Sequence, residues 1–134
     1  MNRQIYVNLP VADLQRSKAF FTKLGFEFNP KFTDENAACM IIGPDAYVML
    51  LLESYFKTFT KRDVCDTSKQ TEALLALSCP SRHAVDAMVQ TAVANGGAHA
   101  MDKMDHGFMY GWSFYDPDGH HFEVVWMNPE ATDA

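Results

Sequence analysis

Long apolar runs are missing from this 134-residue chain. The longest, Ala46 to Leu52, falls far short of the roughly 20 residues a membrane helix needs, so no membrane partner is expected. Basic charge is scarce too: 11 Lys plus Arg against 17 Asp plus Glu give a net charge of −6. Such a chain repels phosphate backbones, and nucleic acid is not an expected partner. The opening MNRQIYVNLP has no apolar h-region and no small-residue cleavage site, so no secretory signal is expected. Cysteine is sparse. Cys39, Cys65 and Cys79 are odd in number and form no CxxC pair, unlike a secreted disulfide scaffold. They read as free thiols in a reducing compartment, with Cys39 as core filler, and the cytoplasm is the expected location. Present instead is an ordinary globular composition, 48% hydrophobic and 21% charged. That excludes intrinsic disorder, and the length suits one domain.

The chain reads as two similar halves. Gln4 to Leu9 is a short β-prone stretch ending at Pro10. Asp13 then stands as an N-cap before Leu14, Phe20, Phe21 and Leu24, which recur at helical spacing, and Gly25 follows as a C-terminal cap. A helix over 14–24 is predicted. In the second half Ala73 to Ser78 reads as a strand and Pro80-Ser81 as a stop and N-cap. Val85, Met88, Val89, Ala92 and Val93 form one apolar stripe, ended by Asn95-Gly96-Gly97. Leu9 maps on Leu77 and Gly25 on Gly96. Three β-like segments follow each helix: Gly25–Asn29, Ala37–Ile42 and Tyr47–Leu52, then His99–Lys103, Phe108–Tyr115 and His120–Met127. The expected fold is therefore α+β, two tandem βαβββ modules with mixed sheets. Module one covers about 1–53, a linker or lid about 54–72, and module two about 73–128. In the linker, Tyr55, Phe56 and Phe59 read either as a lid beside an open sheet or as core packing.

Strand parity sorts the side chains. Ile5, Val7 and Leu9 are expected under the first helix, leaving Tyr6 and Asn8 on the other face. Leu75 and Leu77 pack under the second helix, opposite Leu74, Ala76 and Ser78. In the final strand Phe122, Val124 and Trp126 share one parity, and His121, Glu123 and Val125 the other. His121 and Glu123 are thus an imidazole and a carboxylate on one face, ~7 Å apart. Two readings stay open: half of a metal site or an acid–base pair, or a solvated sheet face. Phe108, Tyr110 and Trp112, between Gly107 and Gly111 and beside them, could line a pocket for a flat or cationic ligand or fill the core.

The opening, Ile5–Leu9 with Pro10-Val11-Ala12-Asp13-Leu14, Ser17, Phe20-Phe21 and Leu24-Gly25-Phe26, resembles that of the vicinal oxygen chelate superfamily. So does the ending Phe114-Tyr115-Asp116-Pro117-Asp118-Gly119-His120-His121-Phe122-Glu123-Val124-Val125. The superfamily includes glyoxalase I, bleomycin-resistance proteins, extradiol dioxygenases and fosfomycin-resistance enzymes. The resemblance implies curved sheets enclosing a ligand cavity, commonly in a homodimer; the eight methionines offer adaptable interface surface. Catalytic members hold a divalent metal with one residue from the first and one from the last strand of each module. Here those positions carry Tyr6, Leu74 and Glu123, with Glu53 or Leu51 as the fourth. Leucine cannot ligate a metal, so no cofactor is expected at the standard positions.

The expected function is small-molecule binding, of an aromatic or cationic ligand. The binding residues are Tyr6, Asn8, Glu53, Tyr110, Trp112 and His121, and Glu123 is the catalytic candidate. The alternative is a glyoxalase I-like lyase or extradiol dioxygenase-like oxidoreductase. Its displaced site for Zn, Ni, Fe or Mn would draw on Glu53, His121 and Glu123. A ligand-free interaction module is a third possibility.

Overall fold

Two short side chains start the two long helices in the same way. In the computed structural model, which describes residues 2–132, Asp13 Oδ1 accepts from the Arg16 amide at 3.1 Å. Ser81 Oγ accepts from the Ala84 amide at 3.0 Å. Each bond satisfies an amide that the first turn leaves without a carbonyl. Helix α1 spans Leu14–Lys23 and the corresponding helix Arg82–Ala94. Gly25 and Gly96 follow them at φ +98° and +105°, a region nearly closed to residues with a Cβ. The predicted helix over 14–24 loses only Leu24, which is the C-cap.

The chain divides between Asp66 and Thr67 into two compact units. The first contains β1 Ile5–Val11, β2 Glu27–Phe28, β3 Ala37–Gly43 and β4 Ala46–Leu52, in the order β1-β4-β3-β2. The second contains β5 Leu74–Ser78, β6 Ala98–His99, β7 Met104–Asp105, β8 Met109–Tyr115 and β9 His121–Met127. Its order is β5-β9-β8-β6, with β7 also on β8. In each unit the first strand runs parallel to the last, β1 to β4 and β5 to β9, while the remaining pairs are antiparallel. Both sheets are mixed and open, and the architecture is the doubled βαβββ α+β fold read from the sequence.

Each long helix covers one face of its own sheet. In the first unit Phe20 and Phe21 of α1 are buried with Leu9, Val11, Met40, Val48 and Leu50. In the second, α2 being the short Glu53–Phe56 turn, the long helix is α3, and its Val85, Val89 and Ala92 are buried with Phe114, Phe122 and Val124. The Phe114 and Phe122 rings stack at 5.5 Å. The helix-facing parities of the final strand are those predicted.

Several local expectations are corrected. Pro10 does not end β1, which runs on to Val11 with Pro10 opposite Leu51; β1 is an edge strand, where a proline is tolerated. Ile5 does not pack under α1 but is 59% exposed, at the start of the strand. The strand predicted over 99–103 is two fragments, because pairing with β8 shifts from Ala98↔Tyr115 to Met104↔Gly111. Between them the Met101 amide donates to Ser113 Oγ at 2.9 Å instead of to a ladder carbonyl. The 53–72 linker begins with α2 and continues as a 3₁₀ turn, Lys57–Phe59.

Gly119, in the turn before β9, has φ +88°, and a Cβ there would lie 2.6 Å from the Thr67 carbonyl oxygen. Thr67 Oγ1 also donates to the Asp118 carbonyl, so this backbone cannot easily withdraw. Gly119→Ala is expected to cost about 2 kcal/mol or more. Gly43→Ala, where a Cβ meets nothing within 4 Å, should stay within about 0.5 kcal/mol of the native protein. Chemical denaturation of both variants measures the contrast; equal losses would remove the close approach as its cause.

Candidate functional site

Pairing register places the chemistry of the second unit. Parallel pairing sets Leu74 beside His121, Ala76 beside Glu123 and Ser78 beside Val125. Antiparallel pairing sets Tyr115 beside His121, Ser113 beside Glu123 and Gly111 beside Val125. These residues form the face turned away from α3, the opposite parity to buried Phe114, Phe122 and Val124. A hollow of about 440 Å³ lies on it, lined by Leu74, Met101, Met104, Met109, Val125 and, as polar members, Ser113, His121 and Glu123. Asp102, Lys103 and Trp112 also line it.

His121 is 8% exposed, its ring meeting the edge of Tyr115 at 5.3 Å. Its Nε2 is buried without a hydrogen-bond partner. An unpaired buried polar atom costs about 1–3 kcal/mol, which a partner of suitable polarity recovers. Glu123, half-buried, is the carboxylate on the same face. The wall around this pair is apolar and flexible, since thioether side chains adapt to the shape they meet.

Of the two aromatic candidates, one lies elsewhere and one is already engaged. Tyr110 pairs in register with Trp126, not with the open face, and its phenol donates to Asp86 Oδ1 of α3 at 2.5 Å. Burial and that bond push its pKa up. Arg82 sits 5.1 Å from the ring centroids of both Tyr110 and Trp126 and bonds Asp105 Oδ2 at 2.6 Å. Tyr110 therefore fastens α3 to the sheet. Trp112 lines the hollow, but Lys103 Nζ lies 4.5 Å from its ring centroid and His99 stacks on it at 5.4 Å. Ser113, Met101 and Met104 were not among the candidates. The parity that selects Gly111 and Ser113 in β8 was available in the sequence; the shift between β6 and β7 that brings Met101 and Met104 in was not.

In the first unit Tyr6 and Asn8 share the face turned away from α1, but they do different things. Tyr6 stacks on Tyr47 at 4.9 Å and donates to Gln4 Oε1 at 2.9 Å. Asn8 lines a hollow of about 300 Å³ with Met49, Leu51, Tyr55 and Phe59. Glu53 is not a strand residue. It opens α2 and pairs with Lys57 across an exposed 3.4 Å bridge. The N-caps Asp13 and Ser81 align the units at a shift of 68, which carries Asn8 onto Ala76. Because Asn8 pairs with Met49 and Ala76 with Glu123, the first-unit counterpart of Glu123 is Met49. Among the described residues no three His, Cys, Asp or Glu side chains gather as a metal-holding group.

The turn entering β9 is held by buried polar groups. Asp116 is 3% exposed, and its Oδ1 accepts from the Asp118 and His120 amides at 3.0 and 2.9 Å. Its Oδ2 is buried without a partner. Desolvation outweighs nearby His120 and pushes its pKa up to about 6. His120 is itself buried, with Nδ1 2.7 Å from Glu72 Oε1. This turn orients His121, the first residue of β9.

Tandem βαβββ units with open mixed sheets define a protein of the glyoxalase, bleomycin-resistance and dioxygenase fold. Residues 3–43 match the bleomycin resistance protein-like N-terminal family. A hypothetical protein from S. aureus superposes with TM-score 0.79 at 27% identity, over 94% of each chain. A glyoxalase/bleomycin resistance protein/dioxygenase family enzyme from Burkholderia phytofirmans gives 0.76 at 16%, over 94% of this chain and 99% of that one. A fosfomycin resistance protein from Mesorhizobium loti gives 0.70 at 14%, over 100% and 99%. Comparison with curated proteins gives no match. The fold is thus that of the glyoxalase, bleomycin-resistance and dioxygenase proteins, and the match over residues 3–43 agrees with it.

Asp116 has a testable signature. Its folded pKa lies above that of an unfolded carboxyl. Its favourable contribution is therefore complete at low pH and lost as pH rises through about 6. Asp116→Asn keeps the Oδ1 acceptor and cannot ionise. Relative to the native protein, the variant should gain about 2 kcal/mol between pH 4 and pH 7.5, read by urea denaturation at each pH. A difference that does not change with pH would show that the carboxyl is not held neutral.

Proposed function

We propose that the chain is a small-molecule-binding protein that takes its ligand on the open face of the second sheet, without the superfamily's four-ligand metal site. The observation that carries this reading is the buried, unpartnered Nε2 of His121 in a largely apolar hollow that Glu123 also lines. A largely apolar cavity with few convergent polar groups is the usual form of a ligand site. The donor set does not fit a metal. Leu74, next to His121 in register, offers no electron pair, Tyr6 is engaged with Gln4, and Met49 stands where a second carboxylate would be needed. Borderline divalent ions take N, O and thiolate donors, not a leucine and a lone thioether.

The ligand has an apolar body for Leu74, Val125 and the methionines, with one polar group for the His121–Glu123 pair. If that group is cationic, Glu123 is its partner, because Lys103 already occupies the Trp112 ring. A homodimer in the cytoplasm completes the proposal, as the superfamily resemblance leads one to expect.

Binding to the native state raises stability by RT ln(1 + [L]/Kd), about 2.7 kcal/mol at 100 Kd. In a thermal screen of uncharged and cationic aromatic compounds, at least one class should raise Tm and quench Trp112. Glu123→Ala should weaken that response at least tenfold. Elemental analysis of the purified protein should find no stoichiometric transition metal. About one bound metal per chain would overturn the binder in favour of a lyase or dioxygenase with a displaced site.

A further inference from the structure

The first unit has a hollow of its own, and its chemistry differs from that of the second. Its floor is Ala37, Met49 and Leu51. Its wall is three aromatic rings from separate turns: Phe32, 60% exposed, Tyr55, 39%, and Phe59, 67%. Tyr55 and Phe59 meet edge to face at 5.1 Å, so they present a shaped surface instead of two loose rings. Three large rings left in water around one concave site are costly, at about 25 cal/mol for each Å² of apolar surface. A flat ring entering the hollow would remove that cost.

The polar members decide which flat ring. Asp34 is committed to its own loop: Oδ1 accepts from the Asn36 and Ala37 amides at 2.8 and 3.0 Å. Lys31 lines the same hollow, and among the described residues its ammonium has no carboxylate within ion-pair distance. Asn8 Nδ2, at 3.3 Å from the Tyr6 carbonyl, retains a second N–H. Apart from Asp34 Oδ2, the groups left to a ligand are thus a cation and an amide donor, which together suit an anionic oxygen. We infer that the first unit binds an aromatic carboxylate, its ring against Phe32, Tyr55 and Phe59 and its carboxylate on Lys31 and Asn8. The second unit's hollow, lined by Asp102 and Glu123 as well as Lys103, is less suited to the same ligand.

The probe is 1-naphthoate, titrated into the full chain and followed by ¹⁵N amide shifts. Saturable shifts are expected at residues 31–34 and 55–59. Lys31→Met should weaken binding at least tenfold, and Phe59→Leu about threefold. The cation 1-naphthylmethylammonium should bind at least tenfold more weakly. Shifts confined to 101–113 and 121–125 would overturn this site while leaving the second-unit reading intact. Equal binding of the anion and the cation, or full affinity in Lys31→Met, would overturn it too. A thermal screen in which no compound acts on the second unit would fail that reading alone.

Discussion

The parallel pairing of first and last strand in each unit is the constraint from which the rest follows. A parallel pair needs a crossover, and α1 and α3 supply it, which commits each helix to one face of its own sheet. The other face is then left without a long helix, twice. Register along β1–β4 and β5–β9 decides what stands on that face. A one-residue slip would turn His121 and Glu123 into the core and bring Phe122 and Val124 out. The burial of those two residues beneath α3 is thus also what presents the imidazole and the carboxylate.

The doubled plan was legible in the sequence because its signals are local and strong. Asp13 and Ser81 as caps, Gly25 and Gly96 as stops, and the alternation in β9 each rest on the chemistry of a few neighbouring residues. What failed was set by partners distant in sequence. Ile5 alternates correctly with Val7 and Leu9, yet it lies at the exposed start of β1, and no local pattern says how far a helix reaches. Glu53 seemed to match Glu123 because 70 residues separate them. The structure makes Met49 the match, because the strands are aligned by register and not by a uniform offset. Tyr110 and Trp112 are aromatic and flank a glycine, which suggested a pocket, and Trp112 does line the hollow; the Asp86 and Arg82 that hold Tyr110 away from it come from α3.

One fold repeated with different residues gives two surfaces of different chemistry. Tyr47, Met49 and Leu51 in the first unit correspond to His121, Glu123 and Val125 in the second. The exchange of Met49 for Glu123 alone moves a negative charge from one open face to the other. Around it the surroundings have diverged in the same sense. The first unit adds aromatic rings and an ammonium that is unpaired among the described residues, the second adds thioethers and an imidazole.

The buried polar turn before β9 shows what the second unit gives up to hold its site. Asp116 satisfies two amides with one oxygen and leaves the other bare, and Gly119 sits against the Thr67 carbonyl where no side chain fits. Neither feature favours stability. Together with the His120–Glu72 pair they fix the backbone immediately before His121. A looser turn would let that imidazole rotate toward water and satisfy Nε2 there. Held as it is, His121 keeps an unmet hydrogen bond inside a largely apolar hollow, and that unmet bond is what makes this face the candidate site.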